Sequence, residues 1–343
     1  MARRQWEREI EPWFLRNGLP YFVPQERERA RQALRPRKTV PLMVLVALTA
    51  AAVAYALTEV TDRPSFAPAT LTLIAVVAAG FYAVTALRAR PILAWSLRRT
   101  RRSLRLLLPT VTRALPLLLL FITFLFINAE VWQLSATLDG SVLWLTMLLF
   151  GVIAVGFLLV RLPEEVDKVD DFIDVDLVRR ATKSTPIAEP VAELLDREGE
   201  GFEAHRFGDV TGYERWNLIL VLLVTQIAQV LLLSLAVLGF FVLFGGIVMT
   251  SEVQIAWTAQ EKVTQLPYFG NLSVELVQVS VFLAAFSGLY FAVAVMTEET
   301  YREQFFSEVL NELERAVGVR AGYLALQDAT TGAGSDEAPD AGR

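Results

Sequence analysis

Apolar positions in this chain fall into long unbroken runs, not short alternations. Six runs are long enough, at about 1.5 Å per helical residue, to cross a hydrocarbon core of about 30 Å. They are Pro41–Val60, Ala69–Leu87, Leu115–Leu134, Val142–Val160, Leu218–Met249 and Leu272–Met296. No strand-like period-two pattern competes with them. The expected fold is all-α: a polytopic membrane protein with six transmembrane helices and amphipathic cytoplasmic helices at both ends.

The polar segments between these runs set the domain plan. Residues 1–39 form a basic amphipathic cytoplasmic arm. Residues 40–160 form a four-helix membrane segment with an Arg-rich cytoplasmic loop at 88–113. Residues 161–216 are an acidic cytoplasmic loop. Residues 217–296 form a two-helix membrane segment whose outer loop, 250–271, is aromatic. An amphipathic helix fills 297–326, and 327–343 reads as a disordered tail rich in Gly, Ala and Asp.

Two amphipathic patterns stand out. In the arm, Trp6, Ile10, Trp13 and Phe14 share one helical face, ended by Gly18 and Pro20. That face could lie on the membrane interface or pack on the protein's own loops. Near the C-terminus, Phe306, Val309, Leu313 and Ala316 follow a 3-4-3 spacing. This short seam could join two copies, hold a partner, or pack on the acidic loop. In the last run, Ser280, Ala284, Gly288 and Ala292 recur every four residues, a groove for a close helix neighbour.

Charge decides how the 32-residue run Leu218–Met249 is counted. As one crossing, it leaves 30 of the 32 Lys and Arg on one side of the membrane. As a hairpin, it would put the C-terminal basic residues on the opposite side. The positive-inside rule selects one crossing and places both termini in the cytoplasm of a bacterial inner membrane. The arm has no apolar core of its own, so no cleavable signal peptide is expected. Arg greatly outnumbers Lys, which points to a GC-rich bacterial genome.

Composition removes several chemistries. With no Cys, there are no disulfides and no thiolate metal sites. With one His, His205, neither a His-based metal site nor a His-dependent triad is expected. No HExxH, GxSxG or P-loop motif is present, and the chain lacks the full DGxxAR pattern of CDP-alcohol phosphotransferases. No cofactor is expected.

Three sets of residues could carry function. Glu130, Glu275, Gln226, Gln229 and Asn128 fall within or at the edge of apolar runs, where ionisable and polar groups mark candidate sites. Glu130 and Glu275 come to similar depth near the outer surface and could share a vestibule leading to Gln226 and Gln229. Asp170, Asp171 and Asp174 match a DDxxD pattern, by which the segment resembles Mg²⁺-dependent prenyl-transferring enzymes. On one continuous helix they would share a face with Asp167. The second Asp-rich motif and the further spans of the membrane-bound prenyltransferases are not visible, and the preferred reading is a solvated acidic face turned to the Arg-rich loops. Arg98, Arg99, Arg101 and Arg102 form a basic cluster beside a run, suited to anionic headgroups at the cytoplasmic face. Its shortness and flanking spans argue against nucleic acid.

The stretches Tyr301-Arg302-Glu303-Gln304-Phe305-Phe306 and Val317-Gly318-Val319-Arg320-Ala321-Gly322-Tyr323-Leu324 resemble the C-terminal end of an uncharacterised actinobacterial multi-pass integral membrane protein family. The resemblance covers only the last span and the tail. It implies an organism group and no activity. The reading from sequence is therefore a non-enzymatic scaffold or interaction protein of the cell envelope. The alternatives are a small-solute or cation transporter and, third, a Mg²⁺-dependent lipid-linked transferase.

Overall fold

A computed structural model describes residues 5–61, 66–86, 89–96, 98, 119–138, 140–170, 173–199, 202–266, 270–298 and 307–335. These residues are helical almost throughout, with a single isolated β-bridge, Gln265 to Ser273. Four helices are long and apolar enough to cross a membrane, or six if each of two bent pairs is one span. The all-α polytopic membrane architecture expected from the apolar runs is what the chain forms.

In chain order the helices are α1 (Gln5–Arg16), α2 (Pro24–Ala33), α3 (Pro36–Thr61), α4 (Phe66–Thr85) and α5 (Arg90–Ser96). Then come α6 (Leu119–Phe126), α7 (Ala129–Thr137), α8 (Gly140–Asp170), α9 (Val175–Thr182) and α10 (Ala188–Glu198). The chain ends with α11 (Gly212–Val248), α12 (Ser251–Thr258), α13 (Val274–Thr297) and α14 (Ser307–Ser335). Short 3₁₀ turns lie at Pro20–Phe22 and Ala204–Phe207.

The apolar bundle is built on α8, α11 and α13. Helix α11 is one continuous helix of 37 residues, about 55 Å long. It exceeds the hydrocarbon thickness, and its first turns reach into a polar cap. Close approach to α13 depends on two glycines. A Cβ on Gly288 would run into Ser234 Oγ, and one on Gly245 into Leu276. Thus the small-residue groove predicted on the last run does receive a neighbour, and that neighbour is α11. Helices α3 and α4 form a hairpin at the side, joined to the bundle through α8. Met43, Leu45, Leu48, Tyr55 and Val60 on α3 stay exposed, as side chains facing lipid would.

At one end of the bundle α1, α2, α9, α10, α14 and the start of α11 assemble into the cap. The aromatic face of α1 turns inward: Ile10, Trp13 and Phe14 are buried, and Trp6 and Phe14 set their ring edges against Tyr323 of α14 at 5.7 and 5.8 Å. Packing on the chain itself, not on the membrane, is what α1 uses that face for. The C-terminal seam behaves the same way. Leu313 and Ala316 are buried beside Trp13, Leu19, Leu218 and Leu222, between α14, α1 and α11, and another face of α14 lies against α9 and α10. A Cβ on Gly318 would run into Ala181 at 2.7 Å, and one on Gly322 would press on Thr182 and Val191 at 3.0 and 3.1 Å.

Three expectations need correction. The third run is not a straight span: α6 and α7 meet at a 73° bend. The cause is local, because Asn128 adopts an extended conformation and its side chain accepts from the Glu130 N–H, capping a new helix. The tail expected to be disordered from residue 327 is helical to Ser335, and Gln327 donates to Tyr323 Oη one turn back. The acidic stretch 167–174 is not one helix. Helix α8 ends at Asp170, and Asp174 caps α9 by accepting the Leu177 N–H at 2.6 Å. Asp171, Arg99, Arg101, Arg102 and Phe306 lie outside the described residues.

Candidate functional site

The densest polar arrangement lies where α11 enters the cap. Glu214 sits in its first turn, 7% exposed. Its carboxylate accepts from Arg320 Nε of α14 at 2.7 Å and from Arg27 Nη1 of α2 at 2.6 Å. Arg320, 8% exposed, also donates through Nη1 to the Phe207 carbonyl at 2.9 Å. One carboxylate thus joins α2, α11 and α14, and its partner guanidinium reaches the 3₁₀ turn. One helical turn further on, Asn217 is fully buried. Its Nδ2 donates to the Gly18 carbonyl at 2.9 Å and its Oδ1 accepts from the Tyr21 N–H at 2.8 Å. Gly18 has φ +76°, a conformation that favours glycine, and a Cβ there would press on Trp95 at 3.2 Å. Burial pushes the Tyr21 phenol up to about 12, and neighbouring Tyr213 adds to the shift.

Further along α11 the predicted intramembrane residues appear. Gln226 and Gln229 are buried, and Gln226 Oε1 and Nε2 and Gln229 Oε1 have no hydrogen-bond partner among the described residues. The four residues Leu222, Gln226, Gln229 and Leu233 follow helical spacing within the buried stripe of α11. Buried amides of this kind cost about 1–3 kcal/mol per unmet group.

At the opposite end from the cap, Gln254 of α12 is the centre of a second network. Its Nε2 donates to the Met249 and Asn271 carbonyls at 3.0 and 2.8 Å, and its Oε1 accepts from Ser273 Oγ at 2.6 Å. Ser273 in turn caps α13 by accepting the Leu276 N–H. Trp132 of α7 sets its edge against Trp257 of α12 at 6.0 Å and donates to the Phe126 carbonyl. Glu275 belongs to this closure: both its oxygens accept the Thr264 N–H, at 3.1 and 3.0 Å. Glu130 instead stands exposed in the first turn of α7. No hydrogen bond joins the two glutamates among the described residues: the Glu275 carboxylate is taken by Thr264, and the Glu130 carboxylate is exposed. The Glu252 carboxyl is held below its usual range, first by a backbone hydrogen bond and then by Thr250.

Elsewhere, an apolar groove of about 220 Å³ runs between α8, α11 and α13, past Phe150, Ser234 and Gly288. An open cavity of about 660 Å³ lies on the cap beside Asp174, Phe202, Glu203 and His205. Among the described residues no three His, Asp or Glu side chains are placed to hold a metal ion. Asp167 is paired with Arg215 at 2.8 Å, and Arg98 donates to the Arg16 carbonyl at 3.4 Å.

The residues that bind the cap together were not singled out from sequence, although two signals point to them. Arg320 is a lone charge inside the apolar stretch Ala316–Leu326, which in a helix means a buried partner. Glu214 and Asn217 stand at i and i+3, just before the uncharged run. Gln254 carries no comparable signal.

Fold and sites together define a helical polytopic membrane protein with a packed polar cap at one end and a hydrogen-bonded closure at the other. Comparison with known proteins finds no matching family model, no similar curated protein and no similar solved structure.

Proposed function

We propose that this protein is a non-enzymatic scaffold of a bacterial inner membrane, with its cap and both termini in the cytoplasm. The observation that carries the reading is the ionic hub Arg27–Glu214–Arg320. It spends buried charge on fastening the arm, the longest helix and the C-terminal helix into one body. A rigid platform on a membrane anchor is what presentation to a partner requires. The sidedness is supported by charge: the segments holding 30 of the 32 basic residues lead into or out of the cap end. The partner would meet the outward faces of α10 and α14, since their inward faces are occupied within the chain.

Photo-cross-linking from Glu193 and Arg197, exposed on α10, tests this in cells. The expected result is a discrete adduct that disappears when Gly318→Leu unseats α14. Absence of any adduct, together with solute flux through proteoliposomes, would overturn it.

A second reading, a small-solute or cation transporter, is favoured by one observation. The unpaired amide atoms of Gln226 and Gln229 lie inside the apolar part of α11, where a passing polar solute could satisfy them. Gln226→Leu with Gln229→Leu should abolish flux under that reading.

A further inference from the structure

Positive charge without a carboxylate partner collects where the cap meets the apolar bundle. Arg35, Arg37 and Lys38 flank the start of α3, Arg90 opens α5, Arg98 follows α5, and Arg16 closes α1. All six side chains are exposed, and none is ion-paired among the described residues. Elsewhere Arg27, Arg320, Arg215 and Lys168 each face an Asp or Glu, while Arg180, Lys183 and Arg197 on the cap stand exposed with no ion pair among the described residues.

Four contacts bring these segments to one rim. Tyr82 Oη of α4 donates to the Ala33 carbonyl at 2.6 Å, which ties the end of α4 to the entry of α3. Arg98 Nη2 reaches the Arg16 carbonyl. Trp95 closes over Gly18, and Asn217 holds that same turn to α11. At the same level Trp216 stands 55% exposed, two residues before the uncharged run begins. Aromatic residues so placed mark the headgroup layer. The sequence has no Asp or Glu from Ala33 to Thr58 or from Pro64 to Arg98, so these segments bring only positive charge to the rim; the acids nearest it come from other elements, Glu312 of α14 beside Trp95 and Asp167 paired with Arg215.

We infer that this rim is a binding surface for anionic phospholipid headgroups, which seat the cap on an acidic membrane surface. Guanidinium groups bind phosphate oxygens in pairs, and a negatively charged leaflet concentrates basic segments at its surface. The six charges are spread over several segments instead of converging on one point. They therefore suit a field of headgroups better than a single free phosphate. The inference rests on the bundle being embedded in a membrane and does not depend on the scaffold role.

The test uses the full chain in nanodiscs of phosphatidylcholine containing a minor fraction of phosphatidylglycerol. After mild detergent extraction, the lipids retained on the protein are counted by native mass spectrometry. Wild type should retain phosphatidylglycerol enriched over the bulk by at least about tenfold, falling as salt is raised. Millimolar inorganic phosphate should leave the enrichment unchanged. A variant carrying R35Q, R37Q, K38Q, R90Q and R98Q should retain the bulk ratio while α14 keeps its exchange protection. If that variant misfolds, R37Q and R90Q singly should each lower the enrichment. No enrichment in wild type, full enrichment in the variants, or displacement by inorganic phosphate overturns the inference. A protein that fails to enter nanodiscs at all would instead overturn the membrane reading itself.

Discussion

Removing the charge of Glu214 should open the cap, and the structure indicates which part of the cost comes from which partner. In Glu214→Gln two guanidiniums lose their counter-charge. Arg27 is 36% exposed and can turn to water, so its share is small, up to about 1 kcal/mol. Arg320 is 10% exposed at its side chain and keeps only the Phe207 carbonyl as acceptor. Leaving one charge of a buried pair uncompensated costs about 3–5 kcal/mol. Arg320→Met should cost a similar amount, because it strands Glu214 with one half-exposed partner. The double variant should cost clearly less than the two singles added, since it removes both stranded charges. Hydrogen exchange of the α14 amides, in micelles and under conditions where opening is in rapid equilibrium, reads these free energies directly. If Glu214→Gln changes α14 protection by less than about 1 kcal/mol, or if the singles add in the double, the hub does not hold the cap and the reasoning fails.

Three further outcomes are expected. Gly318→Leu should lower α14 protection by about 1–3 kcal/mol, because its first carbon would already stand 2.7 Å from Ala181 Cβ; Gly246→Ala, whose Cβ would find Leu272 at 3.5 Å, should be neutral or better. Gln254→Leu removes the donor of two carbonyls and the acceptor of Ser273, so limited proteolysis should cut within 259–266 at least about tenfold faster than in wild type. Tyr21 is seated as the neutral phenol with its pKa raised from 10.0 to about 12, so its contribution is complete below pH 10 and is lost as pH rises from 10 to 12. The difference in phenolate absorbance between wild type and Tyr21→Phe should show that late titration, and a midpoint near pH 10 would contradict the burial of Tyr21.

The site residues show unevenly how legible the chain was. Gln226 and Gln229 could be singled out because polarity inside a 32-residue uncharged run is visible by inspection. Asn128 and Glu130 could also be singled out, but their role could not be read. An Asn beside apolar residues is compatible with mid-span burial or with a helix cap, and only the extended backbone at Asn128 selects the cap. Glu130 and Glu275 matched in depth along their helices, yet depth leaves the direction of each side chain open. In the fold, one carboxylate turns to the Thr264 N–H and the other to the surface. Arg27, Glu214 and Arg320 are hardest to find in advance, because 187 residues separate the first two and 106 the last two.

Sequence alone determined what depends on local chemistry and on the membrane as solvent. Runs without charge must close their own backbone hydrogen bonds in lipid, so they become helices. The uncharged run Leu218–Met249 reads as one helix instead of two, and α11 is one continuous helix of 37 residues. Tertiary structure alone decided everything that depends on which faces meet. It turned the aromatic face of α1 toward Tyr323 instead of lipid, packed Leu313 and Ala316 of the C-terminal seam beside Trp13, Leu218 and Leu222, set the Gly318 and Gly322 face of α14 on α9 and α10, bent the third run at Asn128, and buried Arg320 against Glu214. The physical reason is that helical periodicity names a face but not its partner. Both amphipathic faces could satisfy themselves on lipid, on a second copy or on the chain. Close packing at Gly318 and Gly322, with one buried carboxylate shared by two arginines, settles the choice in favour of the chain.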